Sequence, residues 1–453
     1  MNDILRTLRG ELTGVVYEAG GDEYAAATTP NNSSYPQRPL AVVRPRSAEQ
    51  VAQTVKSASR SDVTVVVQAT GHGAGRPVGN DQLLLDTSAL NGVTVDATSA
   101  TARIEAGAMW PAVQEAAFAH GLLGLSGTSP TVGVLGYTFG GGVGWFVRKD
   151  GLASAALLAV DYVDGTGRPR RACEDATDPL DREALWAFRG GAPVGIATAI
   201  EIALFAVPDL WTGYLLWHAD ALPAIAAGWT SVLGAVSPSV TSSLSLLQLP
   251  PEGPFPDELL GTAVVHLSYA SPDGGAPLEV MRDAVRAAAT PVVDTTAPGD
   301  LQSLSAIHLD PPAAVPARGT GRWLGPGAAE LVTAMFDAAR VGQHDGLNMV
   351  ELRHTESGVA AADGALTRVP AAFLLHAVGG GSDDDARSRI DEVLGAVEIA
   401  GRAAGIGRAA TSFREGQPDV ADSWSSSDQT RLRTIRAALD PDRVLRFQRH
   451  PAP

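Results

Sequence analysis

One cysteine, Cys173, is present in 453 residues, so neither an intramolecular disulfide nor a cysteine-rich metal site is open to this chain, and a reducing compartment is permitted. A basic surplus is also missing. Lys and Arg number 34 against 50 Asp and Glu, a net charge of −16, and no basic run could neutralise a phosphate backbone, which argues against a nucleic-acid partner. No window reaches the ~20 uninterrupted apolar residues of a spanning helix; the nearest, 196–207, is short and contains Glu201. The opening MNDILRTLRGELTGVV scatters charges where a secretion signal would have an apolar core. A cytoplasmic protein without membrane contact is expected. The nine His lie without ligand spacing, so no metal centre is predicted.

What is present reads as globular: 45% hydrophobic residues, 19% charged and eight Trp. The length exceeds what one core holds, which predicts two domains. From Leu40 a short strand AVV leads through Ser47 to a segment with Val51, Val55 and Ala58 at helical spacing, then to the β-branched strand VTVVVQ. LLLDTS, TARIEAGA and the helix WPAVQEAAFAHG follow. LLAVDYVDGTG predicts a strand ending in a hairpin, and LWAFRGGAPVGIATAIEIALFAV a helix end, a glycine loop and a long strand. After Pro208 the composition turns to Ala and Pro, with strands TAVVHLSY, NMVELRH and AAFLLHAV and amphipathic helices near 278–289, 328–341 and 384–404. The tail predicts a helix stopped at Asp-Pro, then a short strand.

Two glycine-rich stretches carry the chemistry. In QATGHGAG, residues 68–75, Gly71, Gly73 and Gly75 can take positive φ and let backbone N–H groups approach a phosphate. His72, in their midst, could attack an electrophilic flavin methyl as a covalent tether, although an ordinary glycine turn with an exposed His is the commoner reading of the loop alone. The second stretch, 127–153, has too many glycines for a regular helix or strand, yet interleaves Val132, Val134, Phe139, Val143, Trp145 and Phe146, which want burial. It contains neither the GxGxxG of a Rossmann site nor a P-loop.

The His72 loop, PTVGVLGYTFGGGVGW with RKDGLA, LWAFRGGAPVGIAT and LDPDRVLRF stand in a fixed order. Together they resemble the vanillyl-alcohol oxidase / p-cresol methylhydroxylase (PCMH-type) superfamily of FAD enzymes, in its berberine bridge enzyme / 6-hydroxynicotine oxidase-like branch. The resemblance implies an α+β fold: a two-part FAD-binding domain from both chain ends, 1–208 and 409–453, enclosing an inserted substrate domain, 209–408, with an antiparallel sheet. It implies FAD bonded through its 8α-methyl to His72, wrapped by Ala69, Thr70, Gly71, Gly73 and Ala74. Further FAD contacts are implied at Ser129, Pro130, Thr131, Gly133, Gly136, Tyr137, Gly140, Gly141, Gly195 and Ile196.

Departures from the family pattern carry their own expectations. Ser129 stands where some relatives have a cysteine tether, so no cysteinyl link is expected. Thr70 replaces a loop glycine and tolerates positive φ poorly, which predicts a rearranged pyrophosphate loop. Ala192-Pro193-Val194-Gly195 lacks an amide side chain, and Ala410-Thr411-Ser412 replaces a Tyr-x-Asn. Candidate acid–base residues are Tyr137, His376 and His354, while Glu351 and Arg353, sharing a strand face, read as a structural ion pair. The function expected is an oxidase removing hydride from a small alcohol, amine or polyketide-like substrate and passing electrons to O2. A dehydrogenase using another acceptor, or a redox cyclase or flavin-binding protein without oxidase activity, is the alternative.

Overall fold

The structure of the chain, a computed structural model, describes residues 2–311, 313–417 and 420–448. Near the N-terminus the apolar runs form the strands Ala41–Val43, Gln82–Asp86 and Thr64–Gln68, paired in parallel. Continuous apolar strands suit this position because such strands are buried on both faces. The tail strand Leu445–Arg446 adds to the edge beside Thr64–Gln68, also in parallel. The C-terminal segment thus completes the first sheet. The helix Ala48–Arg60 begins where its sequence says it should, with the Ser47 side chain accepting from the Gln50 N–H. A second sheet is antiparallel, with strands ordered Val93–Asp96, Thr101–Glu105, Ile196–Ala203, Leu157–Val163 and Pro169–Cys173.

Strands between Trp211 and Ala409 form one nine-stranded antiparallel sheet. Its register separates two faces. Trp217, Val265, Leu246, Val350 and Ala377 lie in one row across five strands. They pack in an apolar core with residues of the helices Leu222–Val232, Glu279–Ala288, Ala328–Ala339 and Asp384–Gly401. One residue along each strand, the row reads Leu216, His266, Ser245, Glu351 and His376. All five are buried, and this polar face turns away from the helices. Alternation of side chains along a strand fixes both faces at once.

The second glycine stretch departs from its expectation. It contains a short helix, Val134–Phe139, with Gly136 inside it. Tertiary packing overrides propensity there: Val134, Leu135, Tyr137 and Phe139 are all buried in the core shared with the first two sheets. Among the described residues no helix is long and apolar enough to cross a membrane.

Arg148, buried within that stretch, ties it to the large sheet's surroundings by donating to the carbonyls of Val236, Ser237, Val240 and Glu356. Arg148→Met removes the donors and leaves the Val236 and Val240 carbonyls buried without them, so it should destabilise the protein by about 2–4 kcal/mol. Urea unfolding would show the loss as a lowered midpoint, and an unchanged midpoint would contradict the interaction.

Candidate active site

The polar face of the large sheet and the glycine stretches enclose a cavity of about 420 Å³. One wall is backbone-rich: the 68–74 loop, Gly127 to Ser129, Gly133, Gly136, Tyr137, Gly140 and Gly195 to Ala197. The other carries Met349, His376 and Val378 from the sheet, His308 and Asp310 from the loop after the helix Leu301–Ala306, and Thr411, Ser412, Phe413 and Glu415.

The first wall is shaped by glycine at specific places. Gly71 has φ +76, and a Cβ there would stand 2.4 Å from the Pro30 Cβ; only glycine fits. Gly73 and Gly75 do not share that conformation, and Thr70 is not at positive φ either. Thr70 is therefore not asked for the positive φ it tolerates poorly, because Gly71 makes the turn. The loop is pinned by Asn31 N–H to Thr70 O, 2.9 Å, and Asn32 N–H to Gly71 O, 3.3 Å. At its tip the His72 Nε2 lies 2.8 Å from the Thr131 hydroxyl, which is 3.1 Å from the Ser129 hydroxyl. Gly136 lines the cavity, and a Cβ there would meet nothing within 4 Å. Ala192 takes φ +99, a conformation costly for any residue with a Cβ, so strain is held in the very loop that departs from the family pattern.

The second wall holds a buried ionised cluster. Glu351 accepts from Arg353 Nε at 2.7 Å, from the Ser243 hydroxyl at 2.6 Å and from His308 Nε2 at 2.9 Å. Burial by itself would raise its pKa, but Arg353 and His308 outweigh that and hold the carboxyl well below its ordinary range. His308 Nδ1 is 3.1 Å from Asp310. Burial opposes its charge, yet Asp310 and Glu351 prevail and lift its pKa to about 10. His376 stands 3.8 Å from Glu351 and 3.3 Å from Glu415. Against the same opposition from burial, these carboxylates raise it to about 9. His266, the next histidine of the polar row, is pushed the other way, to about 3, by burial and then by the His308 charge. Neutral, it bonds through Nε2 to the Ile307 carbonyl at 3.0 Å and so anchors the loop that carries His308. Between His308 and Asp310, Leu309 adopts φ +62, the left-handed turn that brings the two side chains together. Arg353 lies over the rings of Trp145 and Phe413 and donates to the Val143 carbonyl, joining the two walls.

Of the residues singled out in the sequence, His72, Ala69, Thr70, Gly71, Gly73, Ala74, Ser129, Gly133, Gly136, Tyr137, Gly140, Gly195, Ile196 and His376 line this cavity; Pro130, Thr131 and Gly141 do not. Thr131 stands behind His72, and Gly141, φ +101, backs the stretch against Leu366. His354 also lies away from it, on the opposite face of its strand from Glu351, against the Phe373 ring. Burial and the Arg148 charge push its pKa to about 3. Glu351 and Arg353 are an ion pair, as their shared face suggested, but one built into the cluster. His308, Asp310 and Glu415 were not visible in the sequence as site residues. The turn chemistry of HLDPP was the available signal, and it marked only a loop.

The cavity suits FAD on its own features. Its backbone-rich wall leaves room where side chains would intrude, and two of its lining residues, Tyr137 and Gln68, each carry a buried polar atom, the hydroxyl and Oε1, with no protein partner. Buried groups of that kind call for a ligand.

Comparison with known proteins gives the same cofactor. The FAD binding domain family matches residues 39–172. (R)-6-hydroxynicotine oxidase of Paenarthrobacter nicotinovorans is 32% identical over 204 residues, 44% of this chain and 43% of that protein. Berberine bridge enzyme-like D-1 of Nicotiana tabacum is 32% identical over 192 residues, 40% of this chain and 32% of that protein. The matched stretches thus span less than half of these relatives' length. Over 99% of both chains the fold superposes on Physcomitrella patens BBE-like 1, with a TM-score of 0.83 at 19% identity. Over 96% of both it superposes on 6-hydroxy-D-nicotine oxidase of Arthrobacter nicotinovorans, with a TM-score of 0.80 at 21% identity.

Tyr137→Phe separates the two sides of the unpartnered hydroxyl. Flavin-free protein should be as stable as the parent or more stable by about 1 kcal/mol, because a buried unsatisfied group is removed. FAD retention on desalting should fall. A destabilised flavin-free variant would mean that the hydroxyl has a protein partner.

Proposed function

We propose, for a chain of the berberine bridge enzyme / 6-hydroxynicotine oxidase-like branch of the FAD-binding PCMH-type superfamily, that it is an FAD-dependent oxidase of a small organic substrate, with its flavin attached through His72. The observation that carries this reading is the cavity joining the His72 loop to an ionised cluster on the facing sheet. FAD, when bound, supplies the hydride acceptor, and a histidyl attachment strengthens it as an oxidant.

The remaining chemistry belongs to the chain. The 68–74 loop and the stretch through Gly140 hold the cofactor by backbone. Met349 and Val378 give the sheet side an apolar floor for a carbon skeleton, which favours an alcohol, amine or polyketide-like substrate with an aromatic or heterocyclic body. His376 takes the substrate's proton as its hydride leaves, and Glu415 and Glu351 orient the imidazole. His308, held cationic with both ring nitrogens against Glu351 and Asp310, contributes positive charge to the wall where an oxygen of the substrate gains electron density. Burial raises the Tyr137 phenol far above its ordinary value, so it stays protonated and acts as a donor. His354, neutral and outside the cavity, takes no part. Ser129 offers no thiol, so His72 is the sole attachment. O2 is the terminal acceptor, and the lone Cys173 fits the cytoplasm.

Anaerobic mixing with a panel of aryl alcohols, amines and polyketide-like phenols should bleach the flavin's visible absorbance with at least one of them, and admission of air should restore it with O2 uptake. Bleaching without uptake would indicate a dehydrogenase. No bleaching by any compound would support a flavin-binding protein without oxidase activity.

The pH dependence has a definite sign. His376 is cationic at neutral pH and must be neutral to accept a proton. The rate of bleaching at low substrate should therefore rise about tenfold per pH unit from 7 and level off above about 9. Glu415→Gln removes a carboxylate that stabilises the cation, so the rise should move to lower pH. A profile that levels near 6.5 in the parent would exclude His376 as the base.

A further inference from the structure

The contact behind the His72 loop assigns a role to a residue outside the cavity. We propose that Thr131 is the positioning residue for attachment of the flavin: its hydroxyl holds the His72 imidazole in the attacking orientation and receives the ring proton released as the bond forms. The inference rests on the His72 attachment proposed above.

Thr131 Oγ1 is 2.8 Å from His72 Nε2, 3.1 Å from Ser129 Oγ and 3.4 Å from Asn31 Nδ2. Asn31 can only donate there. In the arrangement that makes the imidazole a nucleophile through Nδ1, Nε2–H donates to Thr131, and Thr131 donates onward to Ser129. The chain then runs His72, Thr131, Ser129, with Thr131 accepting from His72 and from Asn31 and donating once, to Ser129. Such a hydrogen bond fixes ring rotation and tautomer together, as a partner on one imidazole nitrogen does wherever the other must react. The loop backbone is held at Thr70 and Gly71 by Asn31 and Asn32, so the bond from Thr131 acts on the ring's own torsion. Asn31 acts twice, through its backbone on the loop and through its amide on Thr131.

The step balances as follows. A bond forms between the imidazole nitrogen and the flavin 8α-carbon, and a C–H bond at that carbon breaks. Two electrons pass into the flavin ring system with two protons, one from the methyl group and one from the imidazole. Molecular oxygen then removes both electrons and both protons as hydrogen peroxide. The imidazole carries positive charge while its proton remains, and Thr131 with Ser129 offers that proton a path. Ser129 gains a function here that a cysteine at the same position would fill differently, since a thiol is a poor acceptor.

The test measures covalent flavin, independently of turnover. Parent protein and the variants Thr131→Val, Thr131→Ser and His72→Ala are expressed, and freed of loosely held flavin by gel filtration. FAD is then added in air, and fluorescence of the acid-denatured polypeptide is followed with time. Thr131→Val keeps the shape but not the hydroxyl, and should bind FAD while attaching it about a hundredfold more slowly, the scale of lost proton-transfer assistance. Thr131→Ser should attach it at close to the parent rate. Attachment by Thr131→Val at the parent rate, with none in His72→Ala, would overturn the role of Thr131 and leave the tether intact. Covalent flavin in His72→Ala would overturn the tether reading and this inference with it. Equal loss of FAD binding in both Thr131 variants would assign Thr131 to cofactor binding instead, and would also overturn it.

Discussion

Glu351 is a carboxylate almost without solvent that nonetheless stays ionised, and the arrangement of the site follows from keeping it so. Leaving water costs such a group several kcal/mol even after relaxation, and only close opposite charge and hydrogen bonds can offset that. Arg353 at 2.7 Å, His308 at 2.9 Å and the Ser243 hydroxyl at 2.6 Å do this. The partners then need partners. His308 is matched by Asp310 and His376 by Glu415, so positive and negative groups alternate across the sheet's inner face. Removing any one of them leaves its neighbour buried and unmatched, which makes the cluster a unit that no single side chain could supply.

The cluster is possible because the large sheet is amphipathic in an unusual sense. Strand alternation gives every sheet two faces, and in most antiparallel sheets the polar one meets water. Here four helices take the apolar face and the polar row is roofed by the glycine stretches, so both faces are buried. Arg353 spans the gap to the Val143 carbonyl, while Arg148 reaches from the same stretch to four carbonyls around the sheet. The roof's backbone lies close because its glycines let it.

Much of this was legible from the chain, for reasons that differ between the walls. The loop wall is local. The strand Thr64–Gln68, the glycines after it and His72 are consecutive, so their positions follow from period and turn chemistry, and the resemblance to a known family rested on the same local stretches. The Val134–Phe139 helix was hidden because glycine content argues against helix, while the burial of Leu135, Tyr137 and Phe139 that overrides it is a long-range effect. The sheet wall is assembled from distant segments. Glu351 could be paired with Arg353 from a two-residue spacing, but its link to His308 joins positions 43 residues apart and depends on a left-handed turn at Leu309. His354 and His376 looked equivalent as histidines on apolar strands. Only the register, which sets His376 opposite Glu351 and puts His354 on the other face, tells them apart.

The two walls also differ in when they come to exist. The His72 loop is held by contacts to Asn31, Asn32 and Thr131, the last from a separate stretch of chain. The cluster needs strands drawn from Thr241 to Gly380 together with the loop at 307–310 and the turn at Glu415, and the first sheet itself is completed only by the C-terminal strand Leu445–Arg446. Contacts of such sequence separation form late, since closing long loops costs entropy before it is repaid. Gln448 accepts from the Gly75 and Arg76 N–H groups, so the His72 loop is closed from behind by a segment more than 370 residues away in sequence. A cofactor site made in this way is complete only in the folded protein, so the attachment proposed at His72 has the fold itself as its condition.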